Sequence, residues 1–143
     1  MGFVKLTSKA KGEIAEAVVI ATFAKKGYVI LKPMGDNLRY DLVIDRGNGF
    51  ERVQIKSNWS FVKETITFSV RSVRINRNKN VSKSYNGQCD LFAFYSSHLD
   101  TVFLVPMIDI YHIASNVTLR LKTAKNNQGK EFSLWANDYS LKS

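Results

Sequence analysis

Cysteine is almost absent from this 143-residue chain. Cys89 stands alone, which excludes an internal disulfide and any multi-cysteine zinc site and suits a reducing compartment. Histidine is nearly as scarce: His98 and His112 are isolated from each other and support no histidine-based metal centre. No apolar run is long enough to span a bilayer. The longest begins after Glu13 and is interrupted by Glu16, so it does not read as a signal peptide. Met1-Gly2 is followed by Leu6 where a myristoylation site needs Ser or Thr, so that motif fails. These absences lead us to expect a cytoplasmic protein with no membrane partner. At 45% apolar residues the composition is that of an ordinary folded domain, and residues 1–143 read as one.

Acidic residues are the most informative shortage. Twelve Asp and Glu face 21 Lys and Arg, a net charge of +9 that points to a polyanion, usually nucleic acid. The imbalance is concentrated. Residues 65–89 contain no acid, yet Arg71, Arg74, Arg77, Lys79 and Lys83 fall there, interleaved with Asn and Ser that can reach phosphates or base edges. We read this segment as a phosphate-contacting arm rather than a solvated loop. A polar loop at 124–130, with Lys125 and Asn126, is a second candidate contact.

Along the chain, Thr7 or Ser8 caps a helix predicted over 9–26 and closed by Gly27. Between residues 14 and 24 only Glu16 and Thr22 are polar, which predicts burial around most of the helix. Glu13 sits at the edge of its apolar face, either to favour the helix N-terminus or to serve a site; Glu16 suits the first role equally well. Residues 28–32 form a short strand stopped by Pro33. Residues 65–71 alternate, with Thr65, Thr67, Ser69 and Arg71 opposite Ile66, Phe68 and Val70, a half-buried strand. Residues 90–95 are nearly all apolar, like a strand covered on both faces, and 101–105 are its partner, ended by Pro106. A short helix is possible at 107–114, a strand at 116–122, and a tail docked through Phe132, Leu134, Trp135 and Tyr139.

The stretch 40–57 carries the chemistry. Two period-two segments flank Arg46-Gly47-Asn48-Gly49, a hairpin turn sequence. Asp41 shares a face with Val43 and Asp45, and Gln54 shares one with Lys56. Pairing the two segments brings a carboxylate, a neutral oxygen donor and an ammonium together, a site for a divalent cation and a phosphate. The bland reading is a cross-strand Asp41–Lys56 ion pair.

In order, a helix with Glu13, a strand, Asp41, then Gln54-Ile55-Lys56 resembles the PD-(D/E)xK nuclease superfamily. Further stretches fit its intron-encoded homing-endonuclease branch: 11–17, 53–56, 90–95, 102–106, 119–128 and 135–139. The likeness spans most of the chain. Tyr40 stands where the signature has Pro, and Gln54 where it has Asp or Glu, a Q-x-K variant also found in that branch. The resemblance implies a mixed α/β, restriction-endonuclease-like core, a central mixed sheet flanked by helices. It implies hydrolysis of phosphodiesters in double-stranded DNA with Mg²⁺, for which Mn²⁺ substitutes. Asp41, Gln54 and the Ile55 carbonyl would hold the ion, Glu13 would act through water, and Lys56 would serve the attacking water and the phosphate. A homodimer or homotetramer follows from cutting two strands with one site per chain. Alternatives are an archaeal-type Holliday junction resolvase, which normally has an acid where Gln54 sits, and a non-catalytic DNA-binding protein with a decayed site.

Overall fold

The computed structural model describes residues 5–35, 37–76, 79–85, 87–113, 115–121 and 133–141, with 72–76, 79–84 and 133 placed by their backbone. Among the described residues one α-helix, α1 (Ser8–Lys25), is followed by ten strands. They are β1 (Val29–Leu31), β2 (Leu42–Asp45), β3 (Phe50–Asn58), β4 (Thr65–Ser69), β5 (Arg71–Asn76), β6 (Lys79–Ser84), β7 (Leu91–Ser96), β8 (Thr101–Pro106), β9 (Asn116–Arg120) and β10 (Ser133–Trp135).

Helix α1 starts where Thr7 Oγ1 accepts the Ala10 N–H at 3.1 Å and stops before Gly27, whose φ of +81° is costly for other residues. Only Ala15, Val19 and Phe23 are buried along it. The expectation of burial around most of the helix therefore fails, because Ala17, Ala21 and Ala24 face solvent. Alanine supports a helix through propensity without needing burial.

The central sheet has the order β1-β2-β3-β7-β8. Its pairings are antiparallel except β3–β7, which is parallel, so the sheet is mixed. Every residue of β7 is buried, as the apolar run Leu91 to Tyr95 requires. On one face Leu42, Ile44, Val53, Leu91 and Ala93 pack with the Ala15–Val19–Phe23 stripe. On the other, Phe92, Phe94, Phe103 and Val105 meet Ile66, Phe68, Val117 and Leu119 from a second sheet of order β10-β9-β4. Phe94 stacks on Phe68 with centroids 4.4 Å apart and on Phe92 at 5.3 Å. The central sheet is thus mixed, as expected, and among the described residues a helix covers one face and the small sheet the other. Aromatic residues of β4 and β7 pack at the interface between the two sheets.

The basic segment begins as β4, whose buried residues Ile66 and Phe68 alternate with polar ones, and continues past Val70 as the two-stranded β5–β6 hairpin. The helix anticipated at 107–114 is a single 3₁₀ turn, Met107–Asp109. In the tail, Leu134 and Tyr139 pack on the aromatic core, but Trp135 is 44% exposed and not docked as expected; Phe132 lies outside the described residues. Leu104 N–H donates to Tyr139 O and Leu141 N–H to Val102 O, which ties the tail to β8. Among the described residues no helix is long and apolar enough to cross a membrane.

Phe94 is wholly buried and Phe50 is 70% exposed, which sets up a direct comparison. Phe94→Ala should cost about 3–5 kcal/mol in urea unfolding. Phe50→Ala should stay within about 0.5 kcal/mol of the parent.

Candidate active site

The β2–β3 hairpin closes through residues 46–49, where Gly47 and Gly49 each take φ of +102°. Asp45 Oδ1 accepts the Gly47 N–H at 2.7 Å, and Arg46 grips Glu51 with two hydrogen bonds of 2.8 and 2.9 Å. This fixes the register, with Leu42 opposite Val53 and Asp45 opposite Phe50. One step further, Asp41 donates its N–H to Val53 O at 2.8 Å, which sets it beside Gln54.

β2 has four residues and β3 nine, so among the described residues the second half of β3 is paired only with β7. Its opposite edge is open. There the Asp41 carboxylate bends over and accepts the Ile55 N–H at 2.8 Å. A strand residue directs its N–H and C=O to the same side, so the Ile55 carbonyl faces this edge as well. Gln54 and Lys56 alternate with Ile55 and lie on the side of the aromatic core.

Helix α1 supplies the other wall of a cleft of about 370 Å³ lined by Lys9, Glu13, Glu16, Asp41, Gln54 and Lys56, among others. At about 30 Å³ per water it has room for a hydrated cation and a phosphate group. The structure thus gathers Glu13, Asp41, Gln54 and Lys56, all four candidates from the sequence, into one cleft. It also adds Glu16. At 3.6 residues per turn, Glu16 lies about 60° from the centre of the buried stripe at Val19 and Glu13 about 120°. Glu16 therefore points more nearly at the sheet, and it is the helix acid whose charge acts on Asp41. Nothing in the sequence alone oriented the helix well enough to rank the two acids.

Burial is the largest influence on Asp41 and raises its carboxyl above the ordinary value; the Ile55 N–H pulls it down, Glu16 raises it, and Lys56 and Lys32 lower it. The net direction is upward. Among the described residues, Asp41 and Lys56 form no direct ion pair, whereas Lys32 pairs with Glu16. Both partners of that pair are partly exposed, so it is worth little and a bound cation can displace the lysine. The groups present suit a hard cation. Two carboxylates, an amide oxygen and a backbone carbonyl are the oxygen donors that Mg²⁺ or Mn²⁺ prefers, and Mg²⁺ keeps several waters. Among the described residues no three His, Cys, Asp or Glu side chains cluster as a metal site, so the non-acidic donors Gln54 and Ile55 matter. Cys89 is buried with its thiol pushed up to about 12 by burial, unsuited to nucleophilic or ligand chemistry.

Of the anticipated DNA contacts, Arg71 opens β5, Arg74 lies within it, and Lys79 and Lys83 lie on β6. Arg77, Lys125 and Asn126 fall outside the described residues.

A mixed sheet with an acid-lined open edge, a lysine two residues along the same strand and a helix carrying a further acid define a class, and the comparisons agree. The family description PD-(D/E)XK endonuclease matches residues 6–142, and the chain belongs to that family. Among solved structures it is similar to a bacterial homing endonuclease, I-Ssp6803I, at 30% sequence identity and a TM-score of 0.75, covering 94% of this chain and 89% of that one. No curated protein sequence matches it.

The raised Asp41 carboxyl has a stability consequence whose sign is fixed. A carboxyl that holds its proton more tightly folded than unfolded contributes fully at low pH, and that contribution is lost as pH rises through its folded value. Asp41→Asn, which keeps an acceptor for the Ile55 N–H, should raise the Tm of metal-free protein at neutral pH, and the gain should vanish in acid. Mg²⁺ should raise the Tm of the parent but not of Asp41→Asn; equal Mg²⁺ shifts in both would remove Asp41 from the ligand set.

Proposed function

We propose that the protein is a homing-type, site-specific endonuclease that cuts double-stranded DNA with Mg²⁺, and that residues 1–143 form one nuclease domain with its DNA-contacting segment at about 65–89. The carrying observation is the Asp41 carboxylate seated on the open edge of β3 beside Gln54, the Ile55 carbonyl and Lys56. The likeness to a homing endonuclease supports the particular role. Gln54 favours that role over a junction resolvase, and cleavage of long linear duplex in preference to four-way junctions tests the choice.

Asp41, the Gln54 Oε1 and the Ile55 carbonyl would hold the cation, with Glu16 or Glu13 acting on it directly or through water. When bound, the ion supplies an acidified water and charge neutralisation at the phosphate. Lys56 orients the attacking water and offsets charge that builds on the phosphate oxygens as the P–O bond breaks. Gln54 lends an oxygen but no charge, so the site depends on the acids of α1 more than a site with a third carboxylate would. The acid-free β5–β6 hairpin has the form of a two-stranded ribbon, which B-DNA's major groove admits. One hydrolytic site per chain and two strands to cut call for a homodimer or homotetramer whose symmetry matches the target. A DNA substrate would place its work inside the cell.

Asp41→Ala and Lys56→Ala should each abolish cleavage while DNA affinity in a gel-shift assay stays within about threefold. Glu16→Gln should impair cleavage more than Glu13→Gln; the reverse ranking would return the helix acid's role to Glu13. For the arm, Arg74→Ala and Lys83→Ala should each reduce the slope of log affinity against log salt by about 1. An unchanged slope would move the phosphate contacts elsewhere.

A further inference from the structure

The cleft extends beyond its metal-binding end. Asp41 and Glu16 stand at that end, with Ile55 beside them on β3. Ser57 lines the cleft two residues further along the strand, about 6.6 Å at strand rise. It shares the parity of Ile55 and Trp59, which pack in the core under α1, so it lies on the helix side of the sheet. On the helix itself, Lys9, Gly12, Glu13 and Glu16 line the cleft. Their spacing of i, i+3, i+4 and i+7 is one helix face, and Lys9 lies about 10.5 Å along the axis from Glu16. Lys9 is accordingly not among the charges that act on Asp41.

Three features of this far end are not used by the hydrolytic chemistry. The first is a hydroxyl. Trp59 Nε1–H donates to Ser57 Oγ at 3.0 Å. An indole nitrogen only donates, so Ser57 is the acceptor there and its own O–H is left to donate elsewhere. Among the described residues it donates to none. The indole is fixed in turn: it stands edge-on to Tyr95, centroids 6.1 Å apart and planes at 73°, and Lys11 Nζ lies 5.7 Å from its centroid. Tyr95 is buried and is the β7 partner of Ser57. The second feature is a cation. Lys9 is exposed and forms no ion pair among the described residues, although Glu13 is one turn away. Lysine before glutamate is the weaker order for such a pair. The third is Gly12. Its helical backbone does not require glycine, which is a poor helix former, and a methyl there would meet no atom within 4 Å. Gly12 therefore leaves open space in the cleft wall.

A hydroxyl donor, an unpaired ammonium and a gap for close approach suit a phosphate of a nucleic-acid backbone. We propose that the Ser57–Lys9–Gly12 end of the cleft binds the DNA phosphate next to the one that is cut, with Trp59 as the positioning residue that sets the Ser57 hydroxyl as a donor. The proposal rests on the nuclease reading above. A phosphate that is bound but not broken is held equally in the ground state and the transition state. Losing its contacts weakens binding and spares the rate at saturation.

The test is single-turnover cleavage of the linear duplex that the parent cuts best, over a range of enzyme and salt concentrations, with a melting temperature for every variant. Ser57→Ala should raise the half-saturating concentration about tenfold and keep the maximal rate within about threefold. Lys9→Met should reduce the slope of log affinity against log salt by about 1. Gly12→Ala should raise the Tm by about 3 °C through helix propensity, yet raise the half-saturating concentration at least about fivefold. Trp59→Phe, which keeps a ring and removes the N–H, should weaken binding as Ser57→Ala does and add nothing once Ser57 is alanine. Parental half-saturation in Ser57→Ala, or an unchanged slope in Lys9→Met, overturns the phosphate site. A fall in maximal rate alone puts Ser57 on the reacting phosphate and overturns it as well. Parental binding by Gly12→Ala overturns the close approach, and a further loss from Trp59→Phe in the Ser57→Ala background overturns the positioning role. A parent protein inert on every DNA offered fails the nuclease reading itself, visibly in the control, and this site falls with it.

Discussion

β3 is longer than the strand that pairs with it. β2 begins only at Leu42, opposite Val53, while β3 continues to Asn58, and from Gln54 onward the β2 side of β3 has, among the described residues, no strand to satisfy its backbone groups. An unpaired edge normally invites another strand or water. Here the Asp41 carboxylate takes the Ile55 N–H, so one acid both terminates the pairing and becomes the centre of a cleft. The Ile55 carbonyl is left facing the same space, which brings a backbone oxygen beside the acid. Helix α1, Gln54 and Lys56 are arranged around this unfinished edge.

That edge can be held open only because the rest of the sheet is fixed. Two separate cores clamp it, one under α1 and one of stacked aromatic rings under the second sheet. The clamp also excludes water from Asp41, whose carboxyl is raised chiefly by burial. Protein stability and site function pull in opposite directions there: the charged carboxylate is disfavoured by its surroundings until a cation arrives. The aromatic core serves both ends, since Tyr85 rests on Phe92 and faces the ammonium of Lys56.

The distribution of charge follows the same division. Acids on α1, on the β2–β3 hairpin and just before β7 have stated partners: Glu16 with Lys32, Glu51 with Arg46, Asp90 with Arg52. The excess of +9 has its clearest concentration in the acid-free sequence of the β5–β6 hairpin. A protein that must hold a cation at one point and a polyanion along a surface needs both arrangements.

The sequence by itself determined the hairpin and its faces. Strand side chains alternate with a period of two, and the Gly47 and Gly49 turn leaves one register, so Asp41, Gln54 and Lys56 were legible as a set. It also determined β7, because five consecutive apolar residues, Leu91 to Tyr95, read as a strand buried on both sides. Tertiary structure decided what periodicity does not encode. Which way α1 turns is set by the Ala15–Val19–Phe23 stripe finding its seat on the sheet, and only that rotation ranks Glu16 above Glu13. The parallel β3–β7 pairing joins residues 38 positions apart, the β4–β9 pairing of the second sheet residues 47 to 55 apart, and the Tyr85 ring meets Lys56 and Arg39 from 29 and 46 positions away. Local patterns fix local geometry; contacts over such separations arise only when the whole core closes.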